Sequence, residues 1–412
     1  MPKHFLIKRS PLAPKKEPKL KPIKQIKLFT FSAGLYGNRR DDIAIFIFPK
    51  NSSVAEVFTN SSMRSVALDW NEKILKNNKI HALFINSGNA NTFTGDHGKK
   101  SVRSIVENIK KIYSITDNNV FVASTGVIGE PFPIEKVLSA INKPKETINW
   151  LSAAKAIMTT DTFPKGISKT SIVEGKKVTI TGISKGSGMI NPNMATMLGF
   201  VFIDADIGSG LLKKILKNCV AESFNAISVD GDESTNDTVV LAATRSIKFK
   251  KPIKNIKDSR INDLNNKLKK VFIELSELIV RDGEGATKLI NVSVINAKNI
   301  SEARTIAKSI ANSSLIKTAI HGSDPNWGRI IMALGKTYIK IKTDRLKIYF
   351  GKHLVAKNGT AHSQFNNNSI KSYLKSKKIE ILIDLGIGEK SFKVLTCDLS
   401  KKYIDINAAY KT

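Results

Sequence analysis

The chain has 412 residues, of which 41% are hydrophobic and 25% are charged, as in an ordinary globular protein. No apolar run approaches the roughly 20 residues that span a membrane, no secretory signal is visible, and two cysteines are too few for a disulfide framework, so we expect a cytoplasmic protein. The net charge of +31, from 66 Lys and Arg against 35 Asp and Glu, is the one compositional feature that suggests nucleic acid as a partner.

The first segment in chain order, residues 1–27, concentrates lysine but is interrupted by Pro11, Pro14, Pro18 and Pro22. This proline spacing predicts an extended basic arm and argues against an amphipathic helix. Elsewhere lysine is dispersed, aromatic residues make up only 7%, and no nucleic-acid-binding signature is present. We therefore favour a lysine-rich surface and predict no specific nucleic-acid partner and no membrane. Binding to nucleic acid that falls steeply with salt would support the alternative.

Runs rich in Val, Ile, Phe and Tyr predict strands along the rest of the chain. The predicted strands are 42–48, 81–86, 120–124, 177–184, 196–205, 238–244, 289–295, 336–341, 346–350 and 379–386. Apolar residues at three- and four-residue spacing predict helices over 209–224, 261–281 and 301–317, the last with Ser301 as its N-cap. Because strands and helices mix without strict alternation, we predict an α+β or layered α/β fold in which helices cover large sheets.

Six loops rich in Gly and Asn separate these elements, which is more than connections alone require. They span residues 86–98, 124–130, 185–196, 228–237, 281–288 and 321–329. Each combines small side chains and backbone N–H groups with one or two polar side chains, which suits a preorganised polar site. The six histidines are scattered, and no metal-binding pair, phosphate-binding glycine loop or Gly-x-Ser-x-Gly elbow is present. We therefore predict an active site without a metal or other cofactor.

The segment GMINPNMATMLGFVFIDAD, residues 188–206, changes at Thr196 from a polar loop to an apolar run. One interpretation is a turn that enters a strand. The other is a cut between Ala195 and Thr196, which would give Thr196 a free α-amino group with a pKa of about 7.7–8.0, able to act as base for its own hydroxyl. Thr125 and Gly126, after a predicted strand, could then supply an oxyanion hole. The residues by themselves leave both interpretations open.

Specific motifs extend over nearly the whole chain. In chain order they are INSGNANTFTG, STGVIGE, MTTDTFPK, KGSGMINPNMATMLGFVFIDA, FNAISVDGDESTNDT, LIVRDGEGATK, KTAIHGSDPNWGRI, DLGIG, TCDLS and YIDINAAYKT. Together and in this order they resemble the ornithine acetyltransferase family, the glutamate N-acetyltransferases of arginine biosynthesis. The resemblance implies a layered αββα-type sandwich, similar in logic to the N-terminal-nucleophile hydrolases.

Members of that family cut themselves before a threonine, which here implies an α chain of residues 1–195 and a β chain of residues 196–412. The resemblance implies that Thr196 takes the acetyl group from N-acetylornithine, releases ornithine and passes the acetyl group to glutamate. It also implies a dimer of αβ pairs. Two alternatives stay open: acetyl-CoA as a second donor, and water as the acceptor, which would make the chain a Thr-nucleophile amidohydrolase or aminopeptidase.

The resemblance also assigns roles to residues near the nucleophile. Thr125 and Gly126 correspond to the oxyanion hole. Lys185 corresponds to a substrate-contacting lysine, which suits a substrate carboxylate. Glu284 corresponds to a substrate-binding acid, which suits an ammonium or amide N–H of the donor.

The remaining assignments come from two further motifs. Asn407 and Thr412 correspond to C-terminal residues of the family that line the pocket. In the motif TTDT a threonine contacts the substrate, and we favour Thr159, with Thr160 and Thr162 as the alternatives.

Overall fold

The computed structural model describes residues 8–36, 40–142, 144–191 and 197–409. Its strands are β1 (Lys27–Phe31), β2 (Ile43–Ile47), β3 (Ser53–Phe58), β4 (Ala82–Asn89), β5 (Val120–Val127), β6 (Glu146–Thr147), β7 (Lys165–Val173), β8 (Lys176–Lys185), β9 (Leu198–Ala205), β10 (Thr238–Ile247), β11 (Leu289–Ala297), β12 (Lys347–Phe350), β13 (His353–Lys357), β14 (Thr360–Ala361), β15 (Lys378–Asp384) and β16 (Lys390–Cys397). Its helices are α1 (Val66–Leu75), α2 (Gly95–Tyr113), α3 (Ile134–Ile141), α4 (Trp150–Ala156), α5 (Ser209–Ala221), α6 (Asn262–Arg281), α7 (Ile300–Ala311), α8 (Ser314–His321), α9 (Gly328–Gly335), α10 (Asn367–Leu374) and α11 (Lys401–Ala409). None of these helices is long and apolar enough to cross a membrane.

Two five-stranded sheets pack face to face through aromatic side chains. The first sheet has the strand order β5-β4-β2-β1-β6, and the second has the order β3-β10-β9-β8-β7. The ring of Phe46 in β2 lies 4.8 Å from the ring of Phe202 in β9, and Trp150 of α4 packs edge-on against both rings. β2 and β9 are almost continuously apolar because both of their faces are buried.

A helical layer covers the outer face of each of these two sheets. On the first sheet, Val102 and Ile105 of α2 share a core with strand residues such as Ile45. On the second sheet, α5 and α6 contribute side chains such as Leu212 and Val271 to a core that also contains strand residues. The resulting four layers, αββα, confirm the predicted layered α/β fold class.

A third sheet, of order β14-β13-β12-β15-β11-β16, carries the C-terminal part of the described chain. α7, α8, α9 and α10 supply the apolar residues that pack against it. Leu289 of β11 and Cys397 of β16 belong to the same core as α5 and α6, so the third sheet adjoins the outer layer of the second. Cys397 and Cys219 are both buried free thiols, as expected from the cysteine count.

Most of the predicted elements are confirmed, but the helix predicted over 301–317 is divided into α7 and α8. The hydroxyl of Ser313 accepts the N–H of Ile316 and caps the second helix. The N-cap of the first helix is Asn299, whose side chain accepts the N–H of Glu302, so the assignment of Ser301 as N-cap is wrong.

The strand predicted over 336–341 is also wrong. These residues form a turn followed by an irregular segment, and Tyr338 has a left-handed φ of 57°. Ile339 and Ile341 nevertheless pack against the core of the third sheet. The alternating pattern that indicated a strand therefore reflects packing of alternate side chains without strand pairing.

Candidate active site

Five of the six Gly- and Asn-rich loops contribute described residues to one cavity of about 430 Å³. The described lining consists of Ala90, Thr125, Gly126, Ile128, Thr159, Thr160, Lys185, Gly188, Met189, Ile190, Met197, Leu198, Asp230, Asp232, Glu233, Ser234, Thr235, Asn236, Asp237, Glu284, Tyr403 and Asn407. The loop 321–329 supplies no described residue to this lining. Segments far apart in the sequence thus meet where β5 and β8 end and β9 begins.

Thr125 and Gly126 lie near the end of β5, at the edge of the first sheet. The backbone of Gly126 has a φ of +132°, and a Cβ atom there would lie 2.3 Å from the carbonyl carbon of Gly88 in β4. Both the conformation and the close approach therefore require glycine at this position. The two residues line the cavity as the sequence predicted, and their role as an oxyanion hole stays a prediction.

The outer edge of β5 is completed by side chains in place of another strand. The amide of Asn71 donates to the carbonyl of Val122 at 3.0 Å and accepts the N–H of the same residue at 2.9 Å. Asn236 donates to the carbonyl of Ser124 at 2.8 Å. Because these bonds extend to the residue before Thr125, they hold the strand end that borders the cavity.

Lys185 ends β8 and directs its ammonium group toward the end of β5. Its Nζ donates to the hydroxyl of Thr125 at 3.0 Å. Since an ammonium group can only donate, the hydroxyl accepts in this contact and retains its own O–H for a further acceptor. Burial lowers the pKa of Lys185, while the carboxylates of Asp161 and Asp237 oppose that shift.

Glu284 and Asn407 meet at the same cavity although 123 residues separate them in the sequence. The amide of Asn407 in α11 donates to the Glu284 carboxyl at 2.7 Å. Glu284 is only 7% exposed. Burial raises the pKa of this carboxyl, against hydrogen bonds from Thr160 and Asn407. The structure therefore brings together two residues that only the family resemblance had connected.

The TTDT motif divides between the cavity and the interior. Thr159 and Thr160 line the cavity, and the hydroxyl of Thr160 lies 2.6 Å from that of Ser187. Thr162 is outside the described lining, and its N–H donates to Asp282 at 2.8 Å. The geometry is thus compatible with Thr159 or Thr160 as the substrate contact, and the preference for Thr159 stays a prediction.

Three predicted site residues, Ala195, Thr196 and Thr412, lie outside the described residues. Ile190 and Met197, which come before and after the first two in the sequence, both line the cavity. In the part of the chain that is described, no group of three or more His, Cys, Asp or Glu side chains is arranged to hold a metal ion.

Comparison with known proteins identifies the family. A model described as the ArgJ family matches residues 27–412. The chain belongs to the ArgJ family. This confirms the family resemblance of the sequence motifs and the prediction that the chain is an enzyme.

Relatives in the ArgJ family are similar over almost their whole length. The arginine biosynthesis bifunctional protein ArgJ of Bartonella quintana is 42% identical over 410 residues, which are 98% of this chain and 100% of that protein. The protein of the same name from Mesorhizobium japonicum is 43% identical over 408 residues, 98% of this chain and 99% of that one. A crystal structure of arginine biosynthesis bifunctional protein argJ from Bacillus halodurans has a TM-score of 0.49 at 38% identity, covering 52% of this chain and 100% of that chain.

Sequence reasoning missed a group of buried charges in this ArgJ-family chain. Lys165 lies between Asp161 and Asp282, and all three side chains are fully buried. The motif MTTDTFPK contains two of them, but charged residues are mostly exposed, so nothing in the motif indicated burial. Tyr403, which lines the cavity from α11, was also missed, although the C-terminal motif contains it.

Proposed function

We propose that this ArgJ-family chain transfers an acetyl group from N-acetylornithine to glutamate, through an ester on Thr196 that forms after self-cleavage between Ala195 and Thr196. Family membership supports this, since the relatives are named arginine biosynthesis bifunctional proteins. The observation that carries the proposal is that Thr125, Gly126, Lys185 and Glu284 line one cavity. Ile190 and Met197, which precede and follow the proposed cleavage position in the sequence, line it too.

Self-cleavage would divide the chain into an α chain of residues 1–195 and a β chain of residues 196–412. The free α-amino group of Thr196 then accepts the proton of its own hydroxyl as Oγ attacks the acetyl carbonyl carbon. The C–N bond of the donor breaks, the proton passes to the leaving nitrogen, and ornithine departs. The acetyl group remains as an ester.

The second half of the cycle reverses these steps with glutamate. Its amine attacks the ester carbonyl, the C–O bond breaks, and the proton returns to Oγ of Thr196. The product is N-acetylglutamate, and the enzyme is ready for another donor. The transfer needs no cofactor, because both bond exchanges occur between acyl, amine and hydroxyl groups.

In both half-reactions of the acetyl transfer, Thr125 and Gly126 stabilise the oxyanion that forms on the acetyl carbonyl. Because Lys185 donates to the Thr125 hydroxyl, that hydroxyl can donate its own hydrogen toward the cavity. Gly126 follows Thr125 near the end of this edge strand, and its backbone N–H is the second proposed donor. One such donor typically contributes a factor of about 10²–10³ to the rate.

Substrate recognition follows from the charges of the cavity. The ammonium group of Lys185 suits a substrate carboxylate, and the buried carboxyl of Glu284 suits an amine or amide N–H. Donor and acceptor each carry a carboxylate and a nitrogen at the reacting end, so one pair of groups serves both. Thr159, Asn407 and Thr412 complete the proposed subsite, and we propose that αβ pairs assemble as a dimer in the cytoplasm.

The test combines intact mass with product analysis. We expect two fragments from the wild type, the second beginning at Thr196, and one inactive chain from Thr196→Ala. With N-acetylornithine and glutamate, the wild type should form ornithine and N-acetylglutamate in equal amounts, and acetyl-CoA is offered as a donor in a parallel assay. Release of free acetate without N-acetylglutamate would establish the amidohydrolase alternative. Activity in an uncut wild type would exclude the free amine as the base.

A further inference from the structure

The group of buried charges formed by Asp161, Lys165 and Asp282, here called the buried triad, lies behind the cavity. The ammonium group of Lys165 lies 2.5 Å from Oδ1 of Asp161 and 2.6 Å from Oδ2 of Asp282, and all three side chains are 0% exposed. The desolvation of such an ion pair costs about as much free energy as the attraction returns, so stability alone does not explain it. None of the three belongs to the described lining of the cavity.

Asp161 holds the backbone of two cavity segments. Its Oδ1 accepts the N–H of Gly186 at 2.7 Å, and that residue directly follows Lys185. Its Oδ2 accepts the N–H of Thr159 at 2.9 Å. A rotation of the Asp161 carboxylate would therefore displace both segments together.

Asp282 connects a third cavity segment, the one that carries Glu284, to the same group of buried charges. It lies two residues before Glu284 and accepts the N–H of Thr162 at 2.8 Å. Lys165 connects it to Asp161. The segments that carry Lys185 and Glu284 are thus fixed to one buried ammonium group.

The buried triad also acts on the charge of Lys185. Burial lowers the pKa of Lys185; Asp161, Asp237 and Glu284 oppose this, and Lys165 adds to the lowering. Burial disfavours the ionised form of Asp161, but the ammonium groups of Lys165 and Lys185 hold the pKa of this carboxyl below its usual range. Asp161 is therefore the carboxylate that most strongly favours the ammonium form of Lys185 inside the protein.

We propose that the buried triad is a positioning device for substrate carboxylates: Lys165 fixes Asp161, and Asp161 fixes the place and maintains the positive charge of Lys185. The inference rests on the proposed function, in which Lys185 binds a substrate carboxylate. Asp161 and Lys165 act through Lys185 and do not touch the substrate, so they are positioning residues.

Two variants, Asp161→Asn and Lys165→Met, test this. Asp161→Asn keeps an oxygen for the N–H of Gly186 but removes the negative charge, so the titration of Lys185 should move to lower pH. Lys165→Met has nearly the same volume but removes the ammonium group that fixes Asp161. It leaves two buried carboxylates side by side, one of which should then take up a proton. The titration of Lys185 should therefore also move to lower pH. On the alkaline side of this titration, the KM for glutamate should rise in both variants, about tenfold for each pH unit of displacement.

The titration is read without turnover from the ammonium resonance of Lys185 in ¹⁵N-lysine-labelled protein, assigned by its loss in Lys185→Met. A wild type that shows this titration but transfers no acetyl group would contradict the proposed function and leave the positioning inference standing. Asp206→Asn is the control, because Asp206 pairs with Arg245 and Lys248 and not with the triad. An unchanged titration of Lys185 in either variant, or one displaced to higher pH, would overturn the inference. Either variant alone decides the matter if the other does not fold.

Discussion

At Gly126 two constraints coincide, a left-handed φ of +132° and a hypothetical Cβ 2.3 Å from Gly88. We expect Gly126→Ala to displace the strand end and to reduce kcat about 10²-fold or more, because a donor to the oxyanion is misplaced. Strain should also lower the free energy of unfolding by about 1–3 kcal/mol. Steady-state kinetics and urea denaturation measure the two effects separately.

The matched control is Gly129→Ala in the same loop. Gly129 also has a left-handed φ, of +81°, but no atom lies within 4 Å of a Cβ built there. This variant should lose about 1 kcal/mol of stability from the backbone conformation and leave kcat unchanged. Equal losses of kcat in the two variants would show that backbone strain, and not the approach to β4, is responsible.

Glu56 in β3 is a buried acid outside the cavity, and its Oε1 accepts the amide of Asn71 at 2.9 Å. Burial raises the pKa of Glu56 from 4.5 to about 8, against that hydrogen bond. The folded state therefore binds a proton that the unfolded state releases above pH 4.5. Stability should fall as the pH rises from about 4.5 to about 8, by about 1.4 kcal/mol for each pH unit at most.

This slope is measured by urea denaturation at several pH values between 5 and 8. Glu56→Gln should reduce it, since glutamine stays neutral throughout. Glu135→Gln, a change at an exposed acid, should keep the wild-type slope. A slope that is the same in wild type and Glu56→Gln would show that Glu56 is already ionised at pH 5.

The residue types of the loops indicated a shared polar cavity, which described residues of five of the six loops line, but they did not indicate the pairings that build it. Lys185 and Glu284 could be named because the motifs around them are specific. The contact between Lys165 and Asp282 could not, because 117 residues separate the two and neither flanking sequence indicates burial. The topology of the fold decides which distant charged residues come together, and patterns in a single sequence do not reveal that topology.

At the scale of elements, prediction succeeded where one burial pattern dominated. α6 shows its buried stripe directly in the spacing of Leu264, Leu268 and Val271. α2 was missed although Val102 and Ile105 follow the same rule, because its first turn, GDHG, has the composition of a loop. The helical spacing of apolar residues was present further along α2, but the loop-like composition of the first turn led to residues 86–98 being assigned as a loop and to no helix being predicted after them.

The helix α11 gives a prediction at this scale. No residue of α11 is buried, yet Asn407 bonds to Glu284 and Tyr403 lines the cavity. A chain that stops after Ser400 should therefore unfold at nearly the same urea concentration as the full chain, because little apolar surface is removed. Its kcat/KM should fall steeply, since one wall of the cavity is missing.

Asn407→Ala is the companion variant for this truncation. It removes the hydrogen bond to Glu284, together with the one to the carbonyl of Tyr403 in the same helix. It should lose part of the activity that the truncated chain loses. A truncated chain with full activity would contradict the position of α11 in the site. A truncated chain that does not fold would show instead that α11 contributes to the core.

For the whole molecule, the decisive feature is the strand order β3-β10-β9-β8-β7 of the second sheet. β9 pairs with β8 on one side and with β10 on the other, and β10 pairs in turn with β3. A cut between residues 195 and 196 leaves β3, β7 and β8 in one fragment and β9 and β10 in the other. Both fragments would then complete a single sheet, and its two faces are covered by cores that they share.

We therefore expect the two fragments to remain one folding unit. Produced separately, 1–195 and 196–412 should each expose unpaired strand edges and large apolar faces, and each should aggregate or show no cooperative unfolding. Produced together, they should form a 1:1 complex in native mass spectrometry that separates only in denaturant, as the cleaved wild type should. The uncut Thr196→Ala chain is the control for a connected fold. Native circular dichroism and cooperative unfolding of 196–412 alone would contradict this, because the β9–β10 pair would then have folded without the strands on either side of it.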